Sequence, residues 1–597
     1  MFFSKRDLQF NLYELLDVEQ LRQYAYFQDH DRESFDMVLD AAQQIAEKEL
    51  YPLLTEMDRQ EPQLIEGKIR VHEGMKAIVK RFGDDGWINA TFRYDEGGQQ
   101  VPSTVQNAAA FIFQAANYSA SVYPFLTTGA ANLIRSFGTK KLVDAFTPMM
   151  YNGRWQGTMA LTEPDAGSSL SDISTAAEPT EEADIYKIKG QKIYISCGDH
   201  DACENVIHLL LAKIKGSPAG TKGISLFVVP QKRLTENGLS SNDVETAGLY
   251  HKMGYKGAPI AHLMFGANND DCLGYLVGEP NKGLSYMFQM MNEARVGVGT
   301  NAAAIGTAAY YASLTYAKER PQGRPIAAKN PTQPQTLIIN HADVKRMLLF
   351  QKSVVEGSLS LLLQCGLWAD IAHVAEGETK ERAELLLDLL TPIAKSYPSE
   401  MCCQTTSAAV QILGGAGYTT DFPLEQYYRE ARIHPIHEGT TGIHGLDLLG
   451  RKITLKGGKG MQYLTEEMFK TIAEAKTVSQ STLTKLAIKL EESLQRVQKV
   501  TVHLLGLAPQ NTEAFLADGT LYLELMSINT IAWQWLKQAT QAEKVLVNAN
   551  IEDENFYRGK IATANYFFEY ELIKTVSLSK RLLSPNQITL NMQTAWF

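Results

Sequence analysis

Residues Val410-Gln-Ile-Leu-Gly-Gly-Ala-Gly-Tyr418 end a helical run in closely spaced glycines. The segment Ser399–Leu413 is predicted to form a long helix, and Gly414-Gly415 is a typical helix stop. Taken alone, the pattern indicates a helix C-terminus followed by flexible glycines.

Downstream, His434-Pro-Ile-His-Glu-Gly-Thr-Thr-Gly-Ile-His444 places one carboxylate, Glu438, between a histidine and a glycine. A glutamate beside glycine is most often an exposed loop residue. Here Gly439 permits an unusual backbone angle, and many flanking residues are apolar: Ile433, Pro435, Ile436, Leu446, Leu448 and Leu449. An apolar pocket disfavours a charged carboxylate, so the pKa should rise toward the range of a general base. We therefore predict that Glu438 is a buried base on a tight loop.

A second unusual segment is Thr158-Met-Ala-Leu-Thr-Glu-Pro-Asp-Ala-Gly-Ser-Ser169. Pro164 restricts Glu163 to extended geometry, and Gly167 allows a sharp reversal. Backbone N–H groups near the turn, and the hydroxyls of Thr162 and Ser168, are then free to bind a ligand. On spacing alone, an ordinary turn that leads into a strand is the commoner explanation.

Polar and apolar residues alternate from Tyr186 to Ser196 on both sides of Gly190, which predicts a β-hairpin. Apolar, β-branched runs follow at 206–214 and 223–230. Spacing alone favours Tyr194 as a core residue of a half-buried strand. Together these runs predict a small β domain.

The 597 residues are too many for one hydrophobic core. Helical periodicity precedes the β domain and returns after it. The predicted fold is therefore α+β and mostly α, in the order α, β, α, α. Its parts are a helical arm at 1–36, a helical domain at 37–157, a β domain at 158–280, a helical domain at 281–452 and, after a glycine-rich linker, a C-terminal helical domain at 461–597.

Composition restricts the partners. The net charge of −10 disfavours a broad electrostatic surface for nucleic acid. The six cysteines have no regular spacing, which indicates free thiols and no metal site. The N-terminus lacks the order of a signal peptide, and no apolar run approaches the length of a membrane span. We expect a cytoplasmic protein that does not span a membrane.

In this order and at this separation, the segments above resemble the acyl-CoA dehydrogenases. The resemblance covers about residues 37–452 and is closest to a longer subgroup that includes broad-range acyl-CoA and 3-methylmercaptopropionyl-CoA dehydrogenases. It implies an N-terminal helical domain, a central β-barrel or sandwich, a helical bundle domain with the catalytic Glu, and an extra C-terminal helical domain. It also implies FAD, an acyl-CoA substrate, an electron-transfer flavoprotein as acceptor, and a homodimer in which the C-terminal domain replaces a second dimer.

The resemblance also implies roles for individual residues. Glu438 is the base; in some relatives the base immediately precedes the arginine that matches Arg295, but that position here is Ala294. Arg295 and Gly439 are expected near the substrate, and Ser168 is expected to reach the pyrophosphate of the flavin or of the acyl-CoA. The residues expected to contact FAD are Met159, Leu161, Thr162, Ser168, Tyr194, Ser196, Arg320, Gln411, Gly415 and Thr440, those at 320, 411 and 415 across a subunit boundary.

Three alternatives remain open at the level of sequence. An acyl-CoA oxidase uses the same base and flavin but passes electrons to O₂. A flavin-containing, nucleic-acid-binding relative should need a basic surface, which the net charge opposes. A catalytically silent scaffold is disfavoured because Glu438 is present.

Overall fold

The computed structural model describes residues 1–327, 330, 332–478, 481–546 and 551–597. The chain forms two compact units. We call Val38–Val101 together with Ile112–Ala294 the barrel unit, and Met1–Met37, Pro102–Phe111 and Arg295–Phe597 the bundle unit.

The described strands all lie in the barrel unit. They are β1 (Gln63–Ile65), β2 (Lys68–Arg70), β3 (Trp155–Ala160), β4 (Ala176–Pro179), β5 (Ile185–Ser196), β6 (Asn205–Ile214), β7 (Ile224–Pro230), β8 (Lys232–Thr235), β9 (Gly238–Ser241), β10 (Val244–Leu249), β11 (Ile260–Phe265) and β12 (Leu273–Val277). The pairings β5–β12, β12–β7, β7–β6, β6–β4 and β4–β5 form a closed ring. Each of these five strands thus pairs on both sides, and of the two expected forms, a barrel or a sandwich, the ring is a barrel.

The prediction of a hairpin around Gly190 is wrong. β5 is one continuous strand of 12 residues. Its first part pairs with β4 and β12, and its second part pairs with β11 from Gly190 onward. A Cβ at Gly190 would lie 2.5 Å from Thr175 Oγ1, so the glycine marks a close approach of two segments and not a turn. Alternation shows that a segment is a strand but does not show where a turn lies.

The barrel unit has a core on each side of its sheet. Along β6, Leu209 and Leu211 belong to a cluster that includes residues of the helices after Asn117, whereas Leu210 and Ala212 belong to a second cluster with Phe227. Successive side chains of a strand point to opposite faces, so a strand that is apolar throughout must be covered on both sides. This packing holds β3 and β5 in place. The candidate ligand-binding segment 158–169 begins at the end of β3, and the candidate segment 192–198 begins within β5.

The helices span both units. They are α1 (Lys5–Gln9), α2 (Arg32–Ile45), α3 (Leu54–Arg59), α4 (Met75–Asp84), α5 (Ser103–Ala116), α6 (Tyr118–Phe137), α7 (Lys140–Tyr151), α8 (Gly283–Glu319), α9 (Ala342–Val374), α10 (Gly377–Leu413), α11 (Leu424–Ala431), α12 (Thr441–Gly450), α13 (Lys459–Thr477), α14 (Ser481–Leu507), α15 (Thr512–Leu516), α16 (Gly519–Leu546), α17 (Ile551–Tyr566), α18 (Thr575–Leu582) and α19 (Ile588–Asn591). In the bundle unit α9 packs along α10, and α16 contacts α12, α14 and α17. The helix α10 ends at Leu413, where the sequence predicted its end.

By length and apolar composition, α9 is the one helix among the described residues that could cross a membrane. In the structure, 89% of its most apolar window is buried inside the protein. Such burial is typical of the core helix of a bundle.

The N-terminal arm packs on the C-terminal helices of the bundle unit. Lys560 on α17 is fully buried and donates hydrogen bonds to Asp7 of the arm, to Glu356 on α9 at 2.7 Å and to Gln538 on α16 at 2.9 Å. Arg6 adds ion pairs at the edge of this contact, one of them with Asp553 at 3.0 Å. A buried charge without its partners is costly, so the network fixes the arm in one position.

Candidate active site

Glu438 lies on the loop between α11 and α12, with a left-handed backbone. Its φ is +53°, and that of Gly439 is +89°. A non-glycine residue in this region costs about 1–2 kcal/mol and persists only where its surroundings enforce it. Thr440 then caps α12, because its side chain accepts a hydrogen bond from the N–H of Ile443 at 3.4 Å. Glu438 is therefore held in a tight turn directly before a helix.

Lys395 on α10 lies beneath this loop. Its Nζ donates hydrogen bonds to the carbonyl oxygens of His434 and Gly439, both at 2.7 Å. Burial, partly offset by attraction to Glu438, lowers the pKa of Lys395 to about 8. The two acceptors lie on either side of Glu438 in the chain, so one side chain ties both ends of the strained turn.

A second cation, Arg295, approaches Glu438 from α8. It is buried, and its NH1 lies 3.4 Å from an oxygen of Asp447 on α12. Its Nε has no hydrogen-bond partner among the described residues. Arg295 therefore contacts α12, the helix that follows the loop of Glu438.

Three histidines around Glu438 are uncharged. Burial lowers the pKa of His434 well below its usual value, and those of His437 and His444 to about 3. His444 Nε2 lies 3.1 Å from the carbonyl oxygen of Glu438. A carbonyl oxygen can only accept, so this nitrogen carries the proton. The histidines thus support the loop as neutral groups and leave Glu438 facing two cations.

Glu438 is exposed to solvent, so the prediction that it is buried is wrong, although dense protein surrounds its carboxylate. Desolvation raises its pKa, against the opposing effects of Arg295 and Lys395. The direction of the shift is the one expected from sequence, but the expected cause is only partly right. Ile436 is 49% exposed and Leu446 is 43% exposed, so the apolar surroundings do not include them. An accessible carboxylate with a raised pKa suits a base that must meet a substrate.

In the barrel unit, a buried ion pair supports the turn at 161–166. Lys192 on β5 is fully buried, and its Nζ lies 2.8 Å from Glu163 and 3.0 Å from the carbonyl oxygen of Leu161. Glu163 and Ala166 exchange backbone hydrogen bonds at 3.0 and 3.1 Å, which closes the turn. Thr162 and Ser168 make no side-chain hydrogen bond to the described residues, so their hydroxyls are available to a ligand.

Tyr194, expected as a core residue from spacing alone, is 59% exposed. Its φ is +59°, and its ring lies 4.6 Å from that of Tyr250, centroid to centroid. Tyr194 is thus exposed while the neighbouring Ile195 is buried. Ser196, which follows Ile195, is partly accessible. Met159 near the end of β3 and Leu161 directly after it are also partly accessible. The barrel unit thus presents an aromatic ring and hydroxyl groups to a ligand.

The remaining candidates for cofactor binding lie on the bundle unit. Gln411 at the end of α10 and Arg320 after α8 are both exposed. No atom lies within 4 Å of the position that a Cβ would take at Gly414 or Gly415. The end of α10 therefore leaves space for a ligand to reach the backbone.

Models of four protein families match successive parts of the chain. The acyl-CoA dehydrogenase N-terminal, middle and C-terminal domain models match residues 32–154, 158–267 and 281–453. A fourth, described as acetyl-CoA dehydrogenase C-terminal like, matches residues 464–593. The chain belongs to the acyl-CoA dehydrogenase family. The predicted family and class, an FAD-dependent oxidoreductase that acts on the CH–CH bond of an acyl-CoA, are confirmed at the level of the family.

Relatives of the same length exist within this acyl-CoA dehydrogenase family. The chain is 34% identical to 3-methylmercaptopropionyl-CoA dehydrogenase of Ruegeria pomeroyi, over 97% of each chain. It is 32% identical to a broad-specificity linear acyl-CoA dehydrogenase of Mycobacterium tuberculosis, over 94% of each. The arm and the C-terminal helices are thus part of what these proteins share.

Solved structures confirm the acyl-CoA dehydrogenase fold. ACDH-11 of Caenorhabditis elegans, in complex with C11-CoA, is 20% identical with a TM-score of 0.76 over 95% of this chain and 94% of that one. An acyl-CoA dehydrogenase of Bacillus anthracis complexed with FAD is 21% identical, with a TM-score of 0.74 over 96% and 92%.

The residues present fit FAD. An exposed tyrosine ring suits a flat isoalloxazine, and the hydroxyls of Thr162 and Ser168 are free hydrogen-bonding groups. On the bundle unit, an exposed guanidinium at Arg320 and an open glycine backbone at Gly414-Gly415 suit phosphate oxygens.

Three residues that support this acyl-CoA dehydrogenase site were not found from sequence. Lys395 lies more than forty positions before Glu438, within the stretch 389–399 of α10, in which every residue is buried. Glu163 and Lys192 each lie inside a segment of interest, but only the fold brings them together. A charged residue within an otherwise buried helix or strand was the available signal, since such residues are rarely buried without a partner.

Proposed function

We propose that this protein is an FAD-dependent acyl-CoA dehydrogenase in which Glu438 removes the α-proton of the thioester. The proposal rests on the accessibility, the raised pKa and the strained backbone of Glu438. This residue is an accessible carboxylate with a raised pKa, on a strained loop that two buried cations face. Among members of an α,β-dehydrogenating family, this combination suits a general base.

The α-proton of an acyl-CoA is far too weakly acidic for a free carboxylate to remove. Donors must therefore stabilise the negative charge that develops on the thioester oxygen, and loss of one such donor typically costs ~10²–10³-fold in rate. The backbone N–H of Glu438 makes no hydrogen bond to the described residues. We assign it as one donor, held in place by the same turn that holds the base, with Gly439 beside it.

Glu438 must be ionised to accept the proton. Its raised pKa makes it a stronger base, and the positive charges of Arg295 and Lys395 oppose the rise by favouring the ionised form. Activity should therefore fall as pH drops through the pKa of Glu438. Bound FAD supplies the oxidation by accepting the β-hydrogen as a hydride.

The residues proposed to contact FAD are those that the family resemblance implies: Met159, Leu161, Thr162, Ser168, Tyr194, Ser196, Arg320, Gln411, Gly415 and Thr440. Ser168, Arg295 and Gly439 are proposed to contact the acyl-CoA.

The electron acceptor and the assembly belong to the same proposal. We propose an electron-transfer flavoprotein as acceptor and a cytoplasmic homodimer. The exposed Gln411, Arg320 and Gly414-Gly415 support a dimer in which each copy completes the phosphate site of the other. Light scattering that gives the mass of a monomer or a tetramer would reject the dimer.

The test is anaerobic bleaching of the purified yellow protein by acyl-CoAs of increasing length and by a methylthio analogue, with enoyl-CoA quantified. Glu438→Gln should bind FAD but bleach ~10²–10⁴-fold more slowly, because the amide cannot take the proton. The matched control is Glu425→Gln, whose carboxylate pairs with Arg429 on α11, 2.7 Å away, and which should bleach normally. Full enoyl-CoA formation by Glu438→Gln would overturn the assignment of the base. Peroxide release in air would identify an oxidase instead.

A further inference from the structure

We propose that Lys395 is a positioning residue for Glu438: it holds the turn 434–439 in its strained form, and its charge is the main counter-charge within α10 to the base. This inference rests on the proposed function of Glu438. It adds a residue that the motifs around the base do not contain.

The geometry of Lys395 supports the first part. Its Nζ is fully buried and donates to the carbonyl oxygens of His434 and Gly439, both at 2.7 Å. Glu438 lies between these two acceptors in the chain, and its φ of +53° is unfavourable for a residue with a Cβ. With both carbonyl groups tied to one ammonium group, the turn cannot relax to an extended backbone without leaving a buried charge unsatisfied.

The charge of Lys395 supports the second part. Among the described residues, the other fully buried lysines have a carboxylate within 4.0 Å: Lys192 has Glu163, Lys452 has Asp388, and Lys560 has Asp7 and Glu356. No such ion pair is found for Lys395 in the same part of the chain. Its acceptors are neutral carbonyl groups, so its positive charge is not cancelled locally.

Few other titratable or charged groups face Glu438 and Lys395. Glu438 faces Arg295 from α8 in addition to Lys395. Lys395 faces Glu438, Glu400 on its own helix and Arg295. His434, His437 and His444 are uncharged, because burial lowers each pKa well below neutrality. Removing the charge at position 395 thus removes one of two cations that favour the ionised form of Glu438.

The effect on activity has a definite sign. Without the ammonium charge the carboxylate is less stabilised, so the pKa of Glu438 rises. The acidic limb of kcat/KM, which follows the base of the free enzyme, should then move to higher pH. An opposite charge close to a carboxylate typically shifts its pKa by about one unit or more, so we expect an upward move of roughly one pH unit.

Three variants of the holoenzyme separate charge from hydrogen bonding. Lys395→Met removes both, Lys395→Gln keeps a neutral donor, and Lys395→Arg keeps the charge. The matched control is Lys537→Met on α16. Its Nζ donates to a neutral oxygen, Gln364 Oε1, at 2.6 Å, and burial lowers its pKa to about 8 as well. The charges that face Lys537 are Glu467, Glu474 and Lys470, and not Glu438.

Two readouts are measured on each variant: the pH profile of kcat/KM, and hydrogen–deuterium exchange of the loop amides 434–440. We expect the acidic limb to rise in Lys395→Met and Lys395→Gln, to move back toward the wild type in Lys395→Arg, and to stay in place in Lys537→Met. Loop exchange should accelerate most in Lys395→Met.

An unchanged acidic limb in Lys395→Gln and Lys395→Met, each folded and yellow, would overturn the electrostatic role. Unchanged loop exchange would overturn the positioning role. If the wild type itself does not bleach with any acyl-CoA, the proposed function fails; exchange in the loop still tests whether Lys395 holds the turn.

Discussion

Lys192 in the barrel unit and Lys395 in the bundle unit each hold a turn of the main chain, but their hydrogen-bond partners differ. Each is fully buried, and each donates to a main-chain carbonyl in a segment proposed to meet a ligand, Leu161 in one case and Gly439 in the other. Burial lowers both pKa values to about 8. The difference lies in the partner: Lys192 has a carboxylate 2.8 Å away, whereas Lys395 has two neutral carbonyl groups.

The carboxylate beside Lys192 is itself strongly held. Glu163 accepts hydrogen bonds from the backbone and hydroxyl of both Ser174 and Thr175, at 2.6 to 3.1 Å. These donors and Lys192 outweigh desolvation and lower its pKa to about 2. The Glu163–Lys192 pair thus has no net charge. It can hold the turn at 161–166 without exerting a strong electrostatic effect on a bound ligand. An uncompensated lysine fixes its turn and also acts on the base.

The largest expected effect comes from breaking the compensated pair. Glu163→Leu leaves Lys192 buried without a counter-charge, which should lower the free energy of unfolding by ~3–5 kcal/mol. Thermal and urea unfolding of the holoprotein measure the loss. The double variant Glu163→Leu/Lys192→Met should recover much of it, because no charge is then left buried. A double variant as unstable as the single one would show that the hydrogen bonds of Glu163, and not its charge, matter.

The pH dependence of the same pair gives the next largest effect. The pKa of Glu163 falls from 4.5 to about 2 on folding, so this group contributes stability above pH 4.5 that is lost as pH falls toward 2. A shift of this size corresponds to roughly 3 kcal/mol. The double variant lacks this contribution, so its stability should decline less than that of the wild type between pH 5 and about 3. Parallel stability curves across that range would contradict the shift.

On the alkaline side the sign is opposite. The pKa of Lys192 falls from 10.5 to about 8 on folding, so its charged form is penalised in the folded state at and below pH 8. This penalty disappears as pH rises from 8 to 10.5, and stability from this group increases there.

Removing Lys395 should cost less stability than breaking the pair. Lys395→Met deletes two hydrogen bonds but also removes a buried charge, so we expect a loss of about 1 kcal/mol at neutral pH. Thermal unfolding of the wild type and the variant measures it. A loss as large as that of Glu163→Leu would show that Lys395 is mainly structural, and the comparison of the two lysines would then fail.

The sequence predicted the family and the fold because those depend on local motifs with strict spacing, and the assignment of Glu438 as the base stays a prediction from the same motifs. Glu438-Gly439 and the glycines after Leu413 carry their signal within a few residues. Lys395 carries none, because its role exists only once α10 passes beneath the loop. The wrong hairpin at Gly190 has the same cause: Thr175 lies close against Gly190, and β11 pairs with the second part of β5, but neither is adjacent to Gly190 in the sequence.

The smallest effect is expected from an ion pair without burial. Lys80 and Asp84 on α4 form an i,i+4 pair with side chains 71% and 53% exposed. Water screens such a pair, so Asp84→Asn should change the free energy of unfolding by no more than ~0.5 kcal/mol, and added salt should remove even that. If thermal unfolding shows Asp84→Asn to be as damaging as Glu163→Leu, then charge pairing as such would matter more than burial. The contrast between Lys192 and Lys395 depends on burial, because only a desolvated charge reaches a neighbouring carboxylate with enough strength to change its pKa.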